Sequence, residues 1–383
     1  MTASPSAAAR SAPIYVREAP SEPLPPPLSQ VGIVGWLRTN LFSSIANSVL
    51  SVIGIVLLYK LARGVIDWAL VRAIWHGSDG AACNVEGAGA CWPFIKAKLP
   101  QLMYGFYPEP ERWRVDLTYA LGAILLIPLL IPRLPYKGAN AVLFFGLFPL
   151  LGFFLLVGGT LGLSHVETRT WGGFLVTLVI SFTGIICSLP LGIVLALGRR
   201  STLPIVRTVS VAFIEIWRGV PLITVLFFAT YMLPFFLPGN WKIDGMLRVL
   251  IGVVLFAAAY MAEVVRGGLQ AIPRGQFEAA MALGLGYWRM NGLVILPQAL
   301  RLVIPGVVNS FISLFKDTSL VLIVSIFDLL GQLRAAFADP SWATPVTLFT
   351  GFAFAGMIYF LGSFGMSRYA LSMERRLNRA EAR

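Results

Sequence analysis

The sequence predicts an all-α integral membrane protein of about eight transmembrane helices. Three observations carry that fold class. Of the 383 residues, 57% are hydrophobic and only 13% charged, with a mean hydropathy of +0.77, more apolar than a soluble domain of this length. Long uncharged stretches recur, each near the ~20 residues a helix needs to cross hydrocarbon. A segment in lipid must satisfy its own backbone, which makes helices the default, and the alternating pattern of a transmembrane barrel is absent.

Residues 1–40 are rich in Ala, Ser and Pro, including Pro25, Pro26 and Pro27; they are expected to be a disordered cytoplasmic N-terminus. No basic-then-apolar pattern of a cleaved signal peptide opens the chain. The eight spans fall near 43–66, 117–132, 140–163, 171–197, 217–237, 248–265, 303–327 and 345–367. The second is short and interrupted by Pro128 and Pro132. Composition shifts near 165: before it lie three spans and a long polar loop (67–116), after it five spans with regular charged connectors. The chain therefore divides into an extension, 41–165, a core, 166–370, and a cytoplasmic tail, 371–383.

The net charge of +12 agrees with Lys and Arg gathered in cytoplasmic loops, and no basic run with interleaved aromatics points to nucleic acid. With both termini in the cytoplasm, the basic connectors 133–137, 199–207 and 266–302 and the tail all fall inside. Loop 67–116 carries five basic residues yet falls outside, and long loops obey the rule less strictly. Cys83 and Cys91 then share a loop in an oxidising compartment, where a disulfide is plausible; no further His or Cys lies at metal-ligand spacing. Cys187 sits alone in an apolar span and reads as packing.

The stretch Glu278–Pro297 is polar enough to lie outside the bilayer. Helix formers run from Gln276 to Leu283, Gly284-Leu285-Gly286 breaks the run, and a second short helix fits Tyr287–Ile295, ended by Pro297. Met281, Leu285 and Trp288 fall at i, i+4, i+7 and form an apolar face. One reading is an interfacial amphipathic hairpin; the other is a docking surface for a soluble partner.

The same residues resemble the EAA motif of ABC importer permeases, which reads EAA, three residues, Gly, nine residues, Ile, one residue, Leu-Pro. Here stand Glu278, Ala279 and Ala280, then Gly284, Val294, Leu296 and Pro297; only Val for Ile departs. The flanks, Glu215-Ile216-Trp217-Arg218-Gly219, Ala259–Gly268 and Lys316-Asp317-Thr318-Ser319-Leu320, are similar to those of polar amino-acid importers over about 171–370. The long N-terminal addition is similar to that of the M subunit of the general L-amino-acid permease. The resemblance implies a type I importer core in the bacterial inner membrane. It implies a homologous second permease, a cytoplasmic ATPase dimer that carries ATP and Mg, and a periplasmic amino-acid-binding protein. It also implies that the first short helix is the coupling helix, with Glu278 a polar anchor, Ala279, Ala280 and Gly284 small enough to allow close approach, and Gly284 also the bend.

Glu215 with Arg218, and Glu263 with Arg266, are i, i+3 neighbours that either neutralise each other near an interface or mark where gating helices meet the coupling loop. Asn309, Ser313 and Lys316 fall at i, i+4, i+7 and make one face of the seventh span polar, with Asp317 beside it. If the helix begins near 303, Lys316 lies ~20 Å along it, inside the bilayer. Charges there are functional candidates, with Glu263 a further contributor, or Lys316 and Asp317 pair with a loop. No GxxxxGK[ST] loop is present, so the chain has no phosphate cradle of that kind, and His76 and His165 belong to no triad or metal cluster. The chain is read as a transport subunit without a cofactor or metal of its own. An ion-coupled secondary transporter, which usually has internal repeats, and a membrane-integral enzyme are the alternatives.

Overall fold

The computed structural model describes residues 32–131, 134–160, 162–238 and 243–381, with side chains to 375. The chain forms two compact units, Met1–Asp67 and Trp68–Arg383.

In the first unit, Gly32–Asn40 forms helix α1 and Ile45–Ile66 forms α2. The expected disorder through 40 therefore stops short of α1, and residues 1–31 lie outside the described residues. The reason is local: Pro gives way to the apolar run Gly32-Ile33-Val34-Gly35-Trp36-Leu37, and the helix end is closed by Thr39 Oγ1 donating to Gly35 O (2.8 Å) and Asn40 Nδ2 to Trp36 O (2.9 Å). Ser44 caps α2 by accepting from Asn47 N (3.2 Å), satisfying one of the orphan donors of a helix start. No residue of α2 is buried, as a lipid-facing helix requires.

The second unit continues with α3 (Trp92–Tyr104), α4 (Arg112–Leu130), α5 (Lys137–Val142), α6 (Phe148–Val157), α7 (Gly173–Arg199), α8 (Pro204–Gly219) and α9 (Leu222–Phe227). Then follow α10 (Gly245–Ala271), α11 (Arg274–Ala282), α12 (Tyr287–Met290), α13 (Leu296–Asp317), α14 (Leu329–Phe337) and α15 (Pro345–Glu381). The described residues contain isolated β-bridges but no β-strand. Among the described residues, seven helical runs are long and apolar enough to cross a membrane, eight if a bent pair counts as one: Ile45–Val71, Glu109–Leu130, Lys137–Val157, Gly173–Arg199, Gly245–Ala271, Tyr287–Val324 and Pro345–Arg375. The fold class is the all-α membrane architecture expected.

The bent pair is the fifth predicted span. Pro204–Gly219 and Leu222–Phe236 meet at 105°, because Pro221 removes a donor and caps the new helix. The second arm, about 22 Å at ~1.5 Å per residue, is shorter than a straight ~30 Å crossing, so the pair counts as a span only as a bent whole. Helix α8 instead lies across the end of α7, close enough that a Cβ on Gly198 would collide with Ser210 Oγ. Its sequence is amphipathic, with Ser210 and Ile214 buried and Ile205, Val209 and Ile216 exposed.

The centre of the unit is the pair α7 and α10. Gly184, Ser188 and Gly192 form a buried stripe on α7. A Cβ on Gly192 would sit 2.8 Å from the Met261 side chain and one on Gly184 2.6 Å from Leu314, so small residues here set the helix separation, as between spans generally. Cys187 lies off this stripe, about 100° around α7 from Ser188, and is exposed, which corrects its reading as a packing residue: the stripe at 184, 188 and 192 fixes which side of α7 faces inward.

Loop 67–116 is folded. Cys83 and Cys91 are disulfide-bonded, with Cα atoms 5.8 Å apart. Both lie in a cluster with Phe94, Ile95 and Leu102 of the loop and Leu329, Leu333, Ala336, Trp342 and Ala355 of the later chain. Gly80 N donates to Ser341 O (2.7 Å), and Lys98 pairs with Asp339. Packing joins the loop to α7, α14 and α15, and the compact units part at 67/68.

Candidate functional site

Helix α10 runs on to Ala271, so the connector between two spans is 272–286, shorter than the 266–302 expected. Helix α11, Arg274–Ala282, occupies most of it. Its end is a Schellman closure: Leu285 N donates to Ala280 O (3.2 Å) and Gly284 N to Met281 O (2.9 Å), with Gly284 at φ +72°. A Cβ at Gly284 would meet nothing within 4 Å, so the left-handed backbone, rather than space, demands glycine there.

The closure turns Leu285 toward the body, where it is half-buried, while Met281 and Trp288 stay 57% and 76% exposed. The three do not share one helical face, because the helix ends before Leu285. Glu278 and Ala279 face solvent, whereas Ala280 is 3% exposed. Of the three small residues expected to admit a partner, Ala279 and Gly284 are exposed, while Ala280 allows α11 to seat on its own chain.

Side chains that the sequence reading did not single out hold α11 in place. Arg200 donates to Leu269 O (2.8 Å) and lies 5.3 Å over the Phe277 ring, pinning α11 to the ends of α7 and α10. Gln298 Nε2 donates to Gln276 Oε1 (3.1 Å). The exposed rim then combines Glu278 and Arg274 with Met281, Leu283 and Trp288.

The second short helix does not stop at Pro297. Tyr287–Val324 is one helical run. A π turn over Asn291–Ile295 precedes Leu296 and Pro297, which sit in the first turn of α13. Proline is tolerated there because its missing donor falls where the hydrogen-bond register already changes. Leu296 is half-buried against the inner cluster of α7, α10 and α13 and Pro297 is exposed.

One helix further in, five charges meet. Glu263 Oε1 accepts from Arg199 Nη1 (3.0 Å), and Glu263 Oε2 lies 2.7 Å from Arg266 Nη2 and 3.6 Å from Arg218 Nη1. Arg199 Nη1 also reaches Glu215 Oε1 (2.9 Å). The expected pairing of Glu215 with Arg218 is replaced: Glu215 takes Arg199 and Arg218 takes Glu263, while Glu263 keeps Arg266. The bend after α8 brings Arg199 between the two glutamates. The cluster ties α7, α8 and α10 together at the end that leads into α11.

Asn309, Ser313 and Lys316 do share an exposed face of α13, and Asp317 beside them is half-buried. Glu263 is not with them. It is level with Gly306, whose Cβ would lie 3.0 Å from Val264, and Lys316 is about 15 Å further along at ~1.5 Å per residue. The arginines, not the pathway face, hold Glu263. No group of three or more His, Cys, Asp or Glu able to hold a metal occurs among the described residues.

Residues 188–379 match the family described as "Binding-protein-dependent transport system inner membrane component". The chain belongs to this family. It is 51% identical over 343 residues to the inner membrane amino-acid ABC transporter permease protein YhdY of Escherichia coli K12, covering 90% of this chain and 92% of that one. It is 40% identical to BztC of Rhodobacter capsulatus, a glutamate/glutamine/aspartate/asparagine transport system permease protein, covering 95% and 98%. Both alignments run well beyond the family core, so the N-terminal extension is shared with these relatives. A solved amino acid ABC transporter with histidines aligns at 27% identity and a TM-score of 0.47 over 53% of this chain and 92% of that one.

Proposed function

We propose that this chain is a transmembrane permease subunit of an ATP-driven amino-acid importer of the inner membrane, and that α11 is the helix on which a cytoplasmic ATPase acts. The observation that carries the reading is the exposed α11, closed by Gly284, between two membrane spans of a chain in a binding-protein-dependent transport family. The partners are an ATPase dimer carrying ATP and Mg, a second homologous permease and a periplasmic amino-acid-binding protein. The names of the two relatives support amino acids as the class of substrate.

With the bent pair counted as one crossing, the termini share a side. Placing them in the cytoplasm puts α11, Arg199 and the tail there and puts the disulfide-bonded segment in the periplasm, in keeping with the basic bias of inner loops and the oxidising demand of a disulfide. ATP-driven closure of the ATPases displaces α11. Arg200, the Phe277 ring and the short Ile272-Pro273 link carry that displacement into α7 and α10, and the polar face Asn309–Ser313–Lys316 is exposed alternately to the two sides.

The test is co-purification and uptake. Glu278→Lys inverts the exposed anchor, and Gly284→Asp forces a side chain into the left-handed region, at a cost of about 1–3 kcal/mol. Both are expected to cut ATPase association and amino-acid uptake together while the permease still inserts in the membrane. Retention of both activities in both variants, or uptake driven by an ion gradient without ATP, contradicts the proposal.

A further inference from the structure

Among the described residues, helix α8 leaves one of its faces uncovered. At about 100° per residue, three sectors run along it. Ser210, Ile214 and Trp217 fall within about 60° of arc and turn toward the chain's own core, with Ser210 and Ile214 buried and Trp217 half-buried. Arg207, Glu215 and Arg218 share a second sector. There Arg218 faces Glu263 (3.6 Å) and Glu215 accepts from Arg199 (2.9 Å). Ile205, Val209, Ala212 and Ile216 make the third, again about 60° wide. All four are exposed, the three larger ones by at least 63%, and no charge interrupts them.

The direction of α8 decides what covers this face. The arm after Pro221 runs beside α10: a Cβ on Gly252 would lie 3.0 Å from Ala229 and 3.5 Å from Val225. Helix α8 meets that arm at 105° and crosses the end of α7, which places it close to the membrane plane rather than along the spans. An in-plane helix with an unbroken aliphatic stripe and basic flanks sinks the stripe toward the acyl chains. The charges agree. Arg199, Arg200 and Arg207 stand in or just before the first turn of α8, which holds no acidic residue. Arg207 is exposed and takes no carboxylate among the described residues. A cation there adds to the positive end of the helix dipole, so its counter-charge comes from outside the chain, and the cytoplasmic leaflet is the anionic surface at hand.

We propose that α8 is an interfacial helix docked on the inner leaflet, its apolar stripe among the acyl chains and Arg207 on the phosphate of an anionic phospholipid. Glu215 and Arg218, on the same helix, belong to the charge cluster around Glu263, so the lipid contact acts on the end of α7 and α10 that leads into α11. The choice of the inner leaflet rests on the importer orientation given above.

The experiment uses the complete importer in proteoliposomes of phosphatidylcholine, with phosphatidylglycerol replacing it in rising proportion. Its readouts are ATP hydrolysis and uptake of labelled L-glutamate, L-glutamine, L-aspartate and L-asparagine. Wild-type activity is expected to rise with phosphatidylglycerol. Arg207→Gln is expected to match the wild type in phosphatidylcholine alone and to need up to ~5-fold more phosphatidylglycerol for the same stimulation, the worth of one arginine at an anionic surface. Arg207→Lys stays close to wild type. The position of α8 is read without transport, from nitroxide labels on Val209→Cys and on Arg207→Cys, each combined with Cys187→Ser. Oxygen is expected to relax the label at 209 more than a water-soluble nickel chelate does, with the reverse at 207. A label at 209 open to the chelate puts the face in water, and one shielded from both reagents puts a second protein chain on it. Either result overturns the proposal, as does a wild type indifferent to phosphatidylglycerol or an Arg207→Gln profile that tracks the wild type. Absence of ATP-dependent uptake by the wild-type assembly contradicts the importer reading instead, while the labels still report whether α8 lies in lipid.

Discussion

Asp328 shows how much one residue does at the outer end of the core. Its Oδ1 accepts from Gly331 N (2.8 Å) and caps α14, its Oδ2 accepts from Tyr359, and the side chain is fully buried. Burial pushes its carboxyl above the ordinary carboxylate value, although the hydrogen bonds from Tyr359 and Gly331 pull the other way. A carboxyl raised in the folded state stabilises the fold below its ordinary value, and that contribution is lost as pH rises through the raised one. Asp328→Asn keeps the cap and removes the titration. The variant is expected to show a flatter dependence of melting temperature on pH across and above the carboxylate range than the wild type, measured by thermal unfolding in detergent; a parallel pH profile contradicts this account. The neighbouring pair Lys98 and Asp339 has the opposite sign. Lys98 and Ser341 hold the Asp339 carboxyl down to about 2, so that contact is intact above about 4 and lost only as pH falls toward 2. Nothing in the local sequence around Asp328 marks it: its partners come from α15 and from its own cap, and only folding brings them together.

Among the elements, the disulfide-bonded segment before α3 is the one least legible from sequence. Alternation of charge and small residues from 72 to 92 reads as loop, and the aromatic residues that seat it, Phe94 and Trp342, are 248 positions apart in the chain numbering. Closing a loop with a sequence separation of 8 restricts the unfolded chain by about 2.5 kcal/mol on the chain-entropy account. Cys83→Ser with Cys91→Ser is expected to lower the melting temperature and to leave the segment open to protease while the membrane spans resist; equal melting of variant and wild type would falsify a structural role for the bond. Helix α11, by contrast, was legible in outline. Helix formers, the glycine break and the EAA spacing locate α11 within two residues of its observed ends. What the spacing did not carry was the continuity of α12 into α13, because a proline that ends an isolated helix is accommodated here by a π turn and by packing of Leu296.

For the molecule as a whole, the charge cluster around Glu263 links α7, α8 and α10 at the end that leads into α11. Three arginines from three helices converge on one carboxylate that is 16% exposed, with Glu215 sharing Arg199. Glu263→Gln leaves the arginines facing one another with one glutamate among them. For partly exposed charges the loss is discounted from the cost of breaking a buried pair, to about 1–3 kcal/mol. The variant is expected to melt lower and to uncouple ATP hydrolysis from uptake, read as ATPase activity retained with import lost; proportional loss of both points to stability alone.

The sequence by itself determined the membrane class, the approximate spans and the position of helix α11, because hydropathy, helix-breaking residues and motif spacing are local properties of the chain. The tertiary structure decided the rest. Which charge meets which depended on the 105° bend that carries α8 over the end of α7. Which small residues of α11 stay exposed depended on how the helix seats on its own chain. Whether the extension stands apart depended on a core assembled from residues far apart in the chain. Contacts between distant segments depend on how the spans pack, and no local pattern encodes that.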